Sequence, residues 1–200
     1  MPRILLTIAF IFLSFSVSAD ENTFSSPTVG FTLKKPTAWH FVSANTYLEQ
    51  MKQIKWGDAA EQERWNSALR APIVVISEYP PKHNGLNSSF KVDAKPYGAI
   101  PSGLSGSEIL ANLIPVMQQR FKNFHVDIEP TERTLGNQKA GYFKATYVST
   151  STTGIDVKQS SEMWVVPMKY YLFMIGATYG PESKKAATEI QRIAQSISIE

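Results

Sequence analysis

Apolar residues follow two periods along this chain, and the switches between them mark its elements. Residues 20–27 are polar and read as a loose lead-in. Val29-Gly30-Phe31-Thr32-Leu33 then alternates as a strand, Pro36 interrupts it, and Trp39-His40-Phe41-Val42 resumes, which predicts an opening hairpin. Ser43 or Asn45 is placed to cap a helix with the stripe Tyr47, Leu48, Met51 and Ile54, ending at Gly57. Asp58-Ala59-Ala60-Glu61 has capping-box spacing, with Asp in place of Ser or Thr, and opens a second helix with Trp65, Ala68 and Leu69 along one side. The two helices make an insertion, residues 43–70, between strands.

Pro72 and Pro80-Pro81 bound the β-branched run Ile73–Ser77, which reads as a central strand buried on both faces. Phe90, Val92 and Ala94 alternate with Lys91, Asp93 and Lys95, as in a half-buried strand. Residues 96–106 are rich in Gly and Pro, and Ser107 then caps a helix with Ile109, Leu110, Leu113, Met117 and Phe121 on its buried side. Pro115 removes one backbone hydrogen bond there and predicts a kink. From Phe124 the period returns to two. Phe124, Val126 and Ile128 face one way, and strands over 141–148, 155–166 and 170–179 continue an antiparallel meander. Pro181 or Glu182 opens a last helix whose packing residues are Ala186, Ala187, Ile190, Ile193, Ala194 and Ile197. Helices entering from separate points along a mainly antiparallel sheet predict an α+β fold, an α/β/α sandwich with both sheet faces covered.

The first nineteen residues fall outside this pattern. Arg3 is their single charge, Ile4 to Leu13 is apolar apart from Thr7, and Val17-Ser18-Ala19 supplies small residues for cleavage. This is the layout of a secretory signal peptide, too short to span a membrane, so the mature chain is expected to begin at Asp20 and to be periplasmic or secreted. With no cysteine in the chain, neither a lipid anchor nor a disulfide is available, and stability rests on the core of one domain over residues 28–200. Cleavage removes Arg3 from the 20 Lys and Arg residues, leaving a net charge of +2 against 17 Asp and Glu. So small a charge, scattered along the chain, gives no footprint for nucleic acid.

Pro36-Thr37-Ala38-Trp39 at the first strand, the strand entry Gly136-Asn137-Gln138-Lys139-Ala140-Gly141-Tyr142, and Tyr170–Tyr179 followed by Ile190-x-x-Ile193 and Ser196-Ile197 resemble the PsbP/Mog1-like family, which includes exported PsbP-like and DcrB-like bacterial proteins. The resemblance covers most of residues 28–198 and is one of layout. The 43–70 insertion departs from the family's simplest pattern. The resemblance implies a non-catalytic accessory or binding role with a protein partner in the cell envelope and no cofactor. Plant and cyanobacterial members attach to photosystem II and the Mog1 branch binds a small GTPase, but neither partner transfers to an exported chain with no photosynthetic signature.

Candidate chemistry is sparse. Cysteine nucleophiles are excluded, and no Gly-x-Ser-x-Gly elbow occurs. Ser102-Gly103-Leu104-Ser105-Gly106 comes nearest, so the alternative function is a small periplasmic hydrolase using Ser105 or Ser107 of the 96–107 loop with one of His40, His83 and His125. His125 and Asp127 share a strand face with Glu129, a partial metal-ligand set, but a site needs three or four convergent groups. The pairs Glu61 with Glu63 and Glu129 with Glu132 suit helix-end and surface positions better than an acid/base pair. The partner surface is expected to combine the insertion, with Trp56 as anchor and Trp65 in the core, and the 96–106 loop, with Ile100 and Leu104. Tyr170 and Tyr171 at a strand end are further anchors.

N-terminal sequencing of the protein purified from its native source tests the export reading. The expected outcome is Asp20 as first residue on material outside the cytoplasm; soluble cytosolic protein retaining Met1 would refute it.

Overall fold

The computed structural model describes residues 20–200 except Trp56, Lys82, Asn84, Ala99 and Ser102; the expected signal peptide lies outside the described residues. In chain order the elements are β1 (Thr23–Ser26), β2 (Phe31–Lys34), β3 (His40–Phe41), α1 (Ala44–Met51), α2 (Ala59–Ala68), β4 (Val74–Ser77), β5 (Ser89–Pro96) and α3 (Gly106–Arg120). The meander follows as β6 (Lys122–Leu135), β7 (Gln138–Thr150), β8 (Asp156–Pro167) and β9 (Tyr171–Tyr179), and α4 (Lys184–Gln195) and β10 (Ser198–Ile199) close the chain.

Seven strands form one antiparallel sheet in the order β3-β4-β5-β9-β8-β7-β6, and β1-β2-β10 form a second, smaller one. The meander therefore matches the period-two reading. Gly136 and Asn137 make the β6–β7 turn with positive φ, 57° and 66°, the type I′ pattern that matches the twist of a hairpin. Register shifts along β6 break its alternation and leave Ile128 exposed, against expectation.

Alternate residues of the large sheet feed two cores. One face carries Ile76, Phe90, Val92, Tyr142, Trp164, Phe173 and Ile175, covered by α4 and by Phe31 and Leu33 of the small sheet. The other carries Phe143, Ala145, Val165 and Leu172, covered by Ile109 and Leu110 of α3. This is the α/β/α sandwich expected. Buried Glu162 of β8 pins α4 to the first face: it accepts hydrogen bonds from Tyr142 Oη (2.9 Å), Tyr179 Oη (2.6 Å) and Gln191 Nε2 of α4 (2.6 Å). A buried carboxylate is costly unless donors surround it, and here three do. Burial, with the Glu162 charge, pushes both tyrosine hydroxyls well above their ordinary range.

Several expectations are corrected. Residues 23–26 are no loose lead but β1, paired with β2 from Thr23↔Lys34 to Ser26↔Phe31. The opening hairpin does not form: β2 belongs to the small sheet, whereas β3 pairs with β4 through His40↔Ser77. A turn closed by Trp39 N–H to Pro36 O (2.9 Å) carries the chain between the sheets, with the Trp39 ring buried where they meet. Trp65 is not core, since α2 buries no side chain; its ring instead lies 4.7 Å from the Arg120 guanidinium. Helix α3 is capped by Ser105 rather than Ser107, in a full capping box with Glu108, and remains one helix through Pro115. Helix α4 is capped by Ser183.

A glycine pair sets where α3 begins. A Cβ on Gly106 would lie 2.2 Å from Gly141 N and 2.3 Å from Val165 O, so helix backbone rests directly on sheet backbone.

Ile190 and Ile193 are both 0 % exposed. Replacing either by Ala is expected to cost about 2–5 kcal/mol, read from urea unfolding; no measurable loss at both positions would mean that α4 is not docked.

Candidate functional site

One half of the α3 face is apolar, and the half nearer β4 sets Val75 and Val157 beside a row of hydroxyls. Ser77 of β4, Ser89 of β5, Thr178 of β9 and Ser161 of β8 stand side by side. The registers Ser77↔Ser89, Ser89↔Thr178 and Thr178↔Ser161 place them in one row, at the strand spacing of about 4.8 Å. Ser89 and Thr178 hydroxyls lie 2.9 Å apart, and Ser77 Oγ donates to Tyr79 O at 2.7 Å.

Helix α1 overhangs this row. Ser43 caps it by accepting the Thr46 N–H (3.2 Å), and Tyr47 is its one buried residue. The segment after α1 is tied to the β7–β8 turn: Lys55 N–H donates to Thr150 O (2.9 Å) and Thr152 N–H to Gln53 O (2.8 Å). Between helix, turn and sheet lies a cleft of about 430 Å³, within the size range of small-ligand sites. Tyr47 and Gln50 of α1 and Gln53 of the segment after it line one wall, with Ser149, Gln159 and the hydroxyls of Ser77, Ser89 and Thr178 below. Among the described residues, the lining has no Asp, Glu, Lys or Arg.

A charged pair stands on the same sheet face as the row. Lys91 Nζ donates to Tyr47 Oη (3.1 Å) and lies 3.4 Å from Asp93 Oδ2. Its stem crosses Gly176, where a Cβ would sit 3.5 Å from Lys91 Cε. Burial acts to lower the Lys91 pKa, but Tyr47 and Asp93 outweigh it and the net shift is upward. The ammonium thus stays charged and ties α1 to the sheet. Tyr147 lies on the same face; burial raises it, opposed by hydrogen bonds from Ser161 and Gln159.

The expected site residues are dispersed. Trp56 lies outside the described residues. Ile100 and Leu104 pack into the α3 core. Tyr171 is half-buried, edge-on to Phe173, with its hydroxyl donating to Val29 O (3.1 Å). Tyr170 is 73 % exposed, with Lys169 Nζ 5.0 Å from its ring. The insertion and the 96–106 loop do not form one surface. The loop enters the first turn of α3, while α2 meets Arg120 at its last, about 22 Å away along a 15-residue helix.

Ser105 and Ser107 serve the helix end. Their hydroxyls lie 3.1 Å apart, Glu108 shares the capping box with Ser105, and Ser107 Oγ donates to Glu132. These hydroxyl hydrogen bonds hold the Glu132 carboxyl below its ordinary range, the reverse of a poised general base. His83 lines the cleft and stacks on Tyr79 (4.2 Å), with no carboxylate in the described lining to pair with it, and His40 is exposed on β3. His125 Nε2 is 3.9 Å from Asp127 Oδ1, and Asp127 accepts from Thr146 Oγ1 (2.7 Å). Among the described residues no three His, Cys, Asp or Glu side chains converge as for a metal, and no helix is long and apolar enough to cross a membrane. The cleft itself went unread in the sequence; its one trace there was the set of hydroxyls at strand ends.

No protein-family model matches the chain, and no curated protein matches it. Solved structures do. LpqN of Mycobacterium tuberculosis, involved in cell envelope biogenesis, is 12% identical, with a TM-score of 0.50 over 84% of this chain and 82% of its own. Cyanobacterial PsbP from Synechocystis is 11% identical, with a TM-score of 0.49 over 89% of this chain and 91% of its own. A Bacteroides thetaiotaomicron protein is 13% identical, with a TM-score of 0.46 over 90% of this chain; the chain spans about half, 48%, of that protein's length. At these identities the likeness concerns the fold. That fold, shared with LpqN, is the α+β sandwich on a mainly antiparallel sheet that the sequence implied.

The Lys91 contacts carry a pH signature. Because the folded pKa is raised above 10.5, their stabilisation is complete below that pH and is lost as pH rises through the folded value. Urea unfolding across this range is expected to show a steeper alkaline loss for wild type than for Lys91→Met. Equal slopes would mean that the contacts contribute nothing.

Proposed function

We propose that the protein is an exported, non-catalytic binding protein of the cell envelope whose ligand site is the cleft beneath the 43–70 insertion. The observation that carries this reading is the docking of α1 above a row of hydroxyls, which leaves a small-molecule-sized cleft with no acid/base pair in its described lining. A buried sheet face beneath a helix is ordinarily filled with apolar side chains. Here the row is polar and the helix stands off it. LpqN, whose fold this chain shares, is involved in cell envelope biogenesis, which supports placing this chain in the same compartment. The signal-peptide pattern of residues 1–19 supports it independently.

The protein acts through a protein partner as well as the ligand. The outer side of the insertion, where α2 buries no side chain, is the surface available to that partner.

Affinity capture from the native envelope fraction with the mature chain tests the reading. Gln53→Trp, which plugs the cleft mouth, is the comparison. Wild type is expected to retain envelope components that the variant loses while its circular dichroism is unchanged. Equal recovery by both would refute the cleft as the binding site.

A further inference from the structure

We infer that the cleft takes an uncharged, hydroxyl-rich ligand, an oligosaccharide segment; this rests on the reading of the cleft as the ligand site. The described lining offers no Lys or Arg to hold a phosphate or carboxylate and no carboxylate to hold an amine or metal, and its single imidazole, His83, is stacked on Tyr79. Lys91, on the same sheet face as the row, is already engaged by Tyr47 and Asp93. Val42, Met51, Ile54, Val75, Leu86 and Val157 also line the cleft, and such apolar patches beside hydroxyls and amides suit the C–H faces of a sugar ring as well as its polar edge.

An extended peptide is also neutral and polar, but it binds a sheet by adding to an edge. The cleft lies on a sheet face, where β4, β5, β9 and β8 have already paired their backbones with one another. What the sheet floor offers a ligand is therefore side-chain chemistry. Hydroxyls of Ser89, Thr178 and Ser149 each donate and accept, and the amides of Gln53 and Gln159 present both a donor and an acceptor. A sugar's hydroxyls have the same dual character, so each meets a group able to answer in either sense. The row repeats at strand spacing, giving successive hydroxyls of an extended glycan successive partners. Tyr47 supplies an aromatic wall on the helix side.

The experiment titrates the isotope-labelled mature chain with maltotriose, cellotriose and triacetylchitotriose, followed by amide chemical shifts. An uncharged Gly-Ser peptide is the control. At least one trisaccharide is expected to bind with shifts confined to α1, Ser89, Thr178 and the β7–β8 turn. Ser89→Ala/Thr178→Val removes both partners of an internal hydrogen bond and keeps β-compatible shapes; it should weaken binding about tenfold or more, the loss of one or two hydrogen bonds to the ligand. Gln53→Ala, at the exposed mouth, should weaken it without disturbing the fold. No sugar binding at millimolar concentration, binding unaffected by both variants, or peptide binding in the cleft instead would each overturn the inference. If sugars fail while the envelope capture still depends on an open cleft, only the ligand class falls; if the capture fails too, so does the binding role.

Discussion

A sheet of seven strands is wider than any one helix can cover, and the rest of this structure follows from how that mismatch is resolved. Seven strands span roughly 29 Å across, while a helix with its side chains is about 10–12 Å wide. On one face α4 and the small β1-β2-β10 sheet share the covering, and the core beneath them is continuous. On the other, α3 lies over β6, β7 and β8, leaving the β4–β5–β9 side to the insertion. Helix α1 reaches it with one buried side chain, Tyr47, and so roofs the face without filling it. The cleft is what remains.

Each cover is held by a specific contact. The backbone-to-backbone approach of Gly106 to Gly141 places α3 at one end of the sheet, and any side chain at either position would force it off. Glu162 joins β8 to α4 through Gln191, with Tyr142 and Tyr179 completing its hydrogen bonds. Lys91 ties α1 to β5, its charge sustained by Tyr47 and Asp93 against the cost of burial. The first contact is steric, the second is a satisfied buried charge, and the third is a part-buried ammonium held by a phenol and a carboxylate.

The same division separates two surfaces that composition alone suggested joining. The 96–106 loop is spent on the α3 end: Ile100 and Leu104 face its core, and Ser105 and Ser107 satisfy the helix terminus. Its Gly and Ser content reflects a capping problem. The insertion, at the far end of α3, carries no such duty beyond Arg120 and the β7–β8 turn, and is free to shape a site.

The sequence by itself determined the meander, the buried faces of α3 and α4, and the α+β sandwich, because these depend on periodicity within single segments: Phe143 and Val165 against Tyr142 and Trp164, or Ile190 with Ile193 and Ala194. Tertiary structure alone decided which sheet each short strand joins. Phe31–Lys34 and His40–Phe41 look like one hairpin locally, yet they separate because β1 and the two-residue β10 supply partners that no local pattern announces. It also decided the cap of α3, since Gly106 must lie against Gly141 and only then does Ser105 fall at the N-cap. The hydroxyl row is the extreme case. Ser77, Ser89, Ser161 and Thr178 are unremarkable where they stand in the chain, and they become neighbours only through three successive strand registers, a relation carried by long-range backbone pairing rather than by any run of residues.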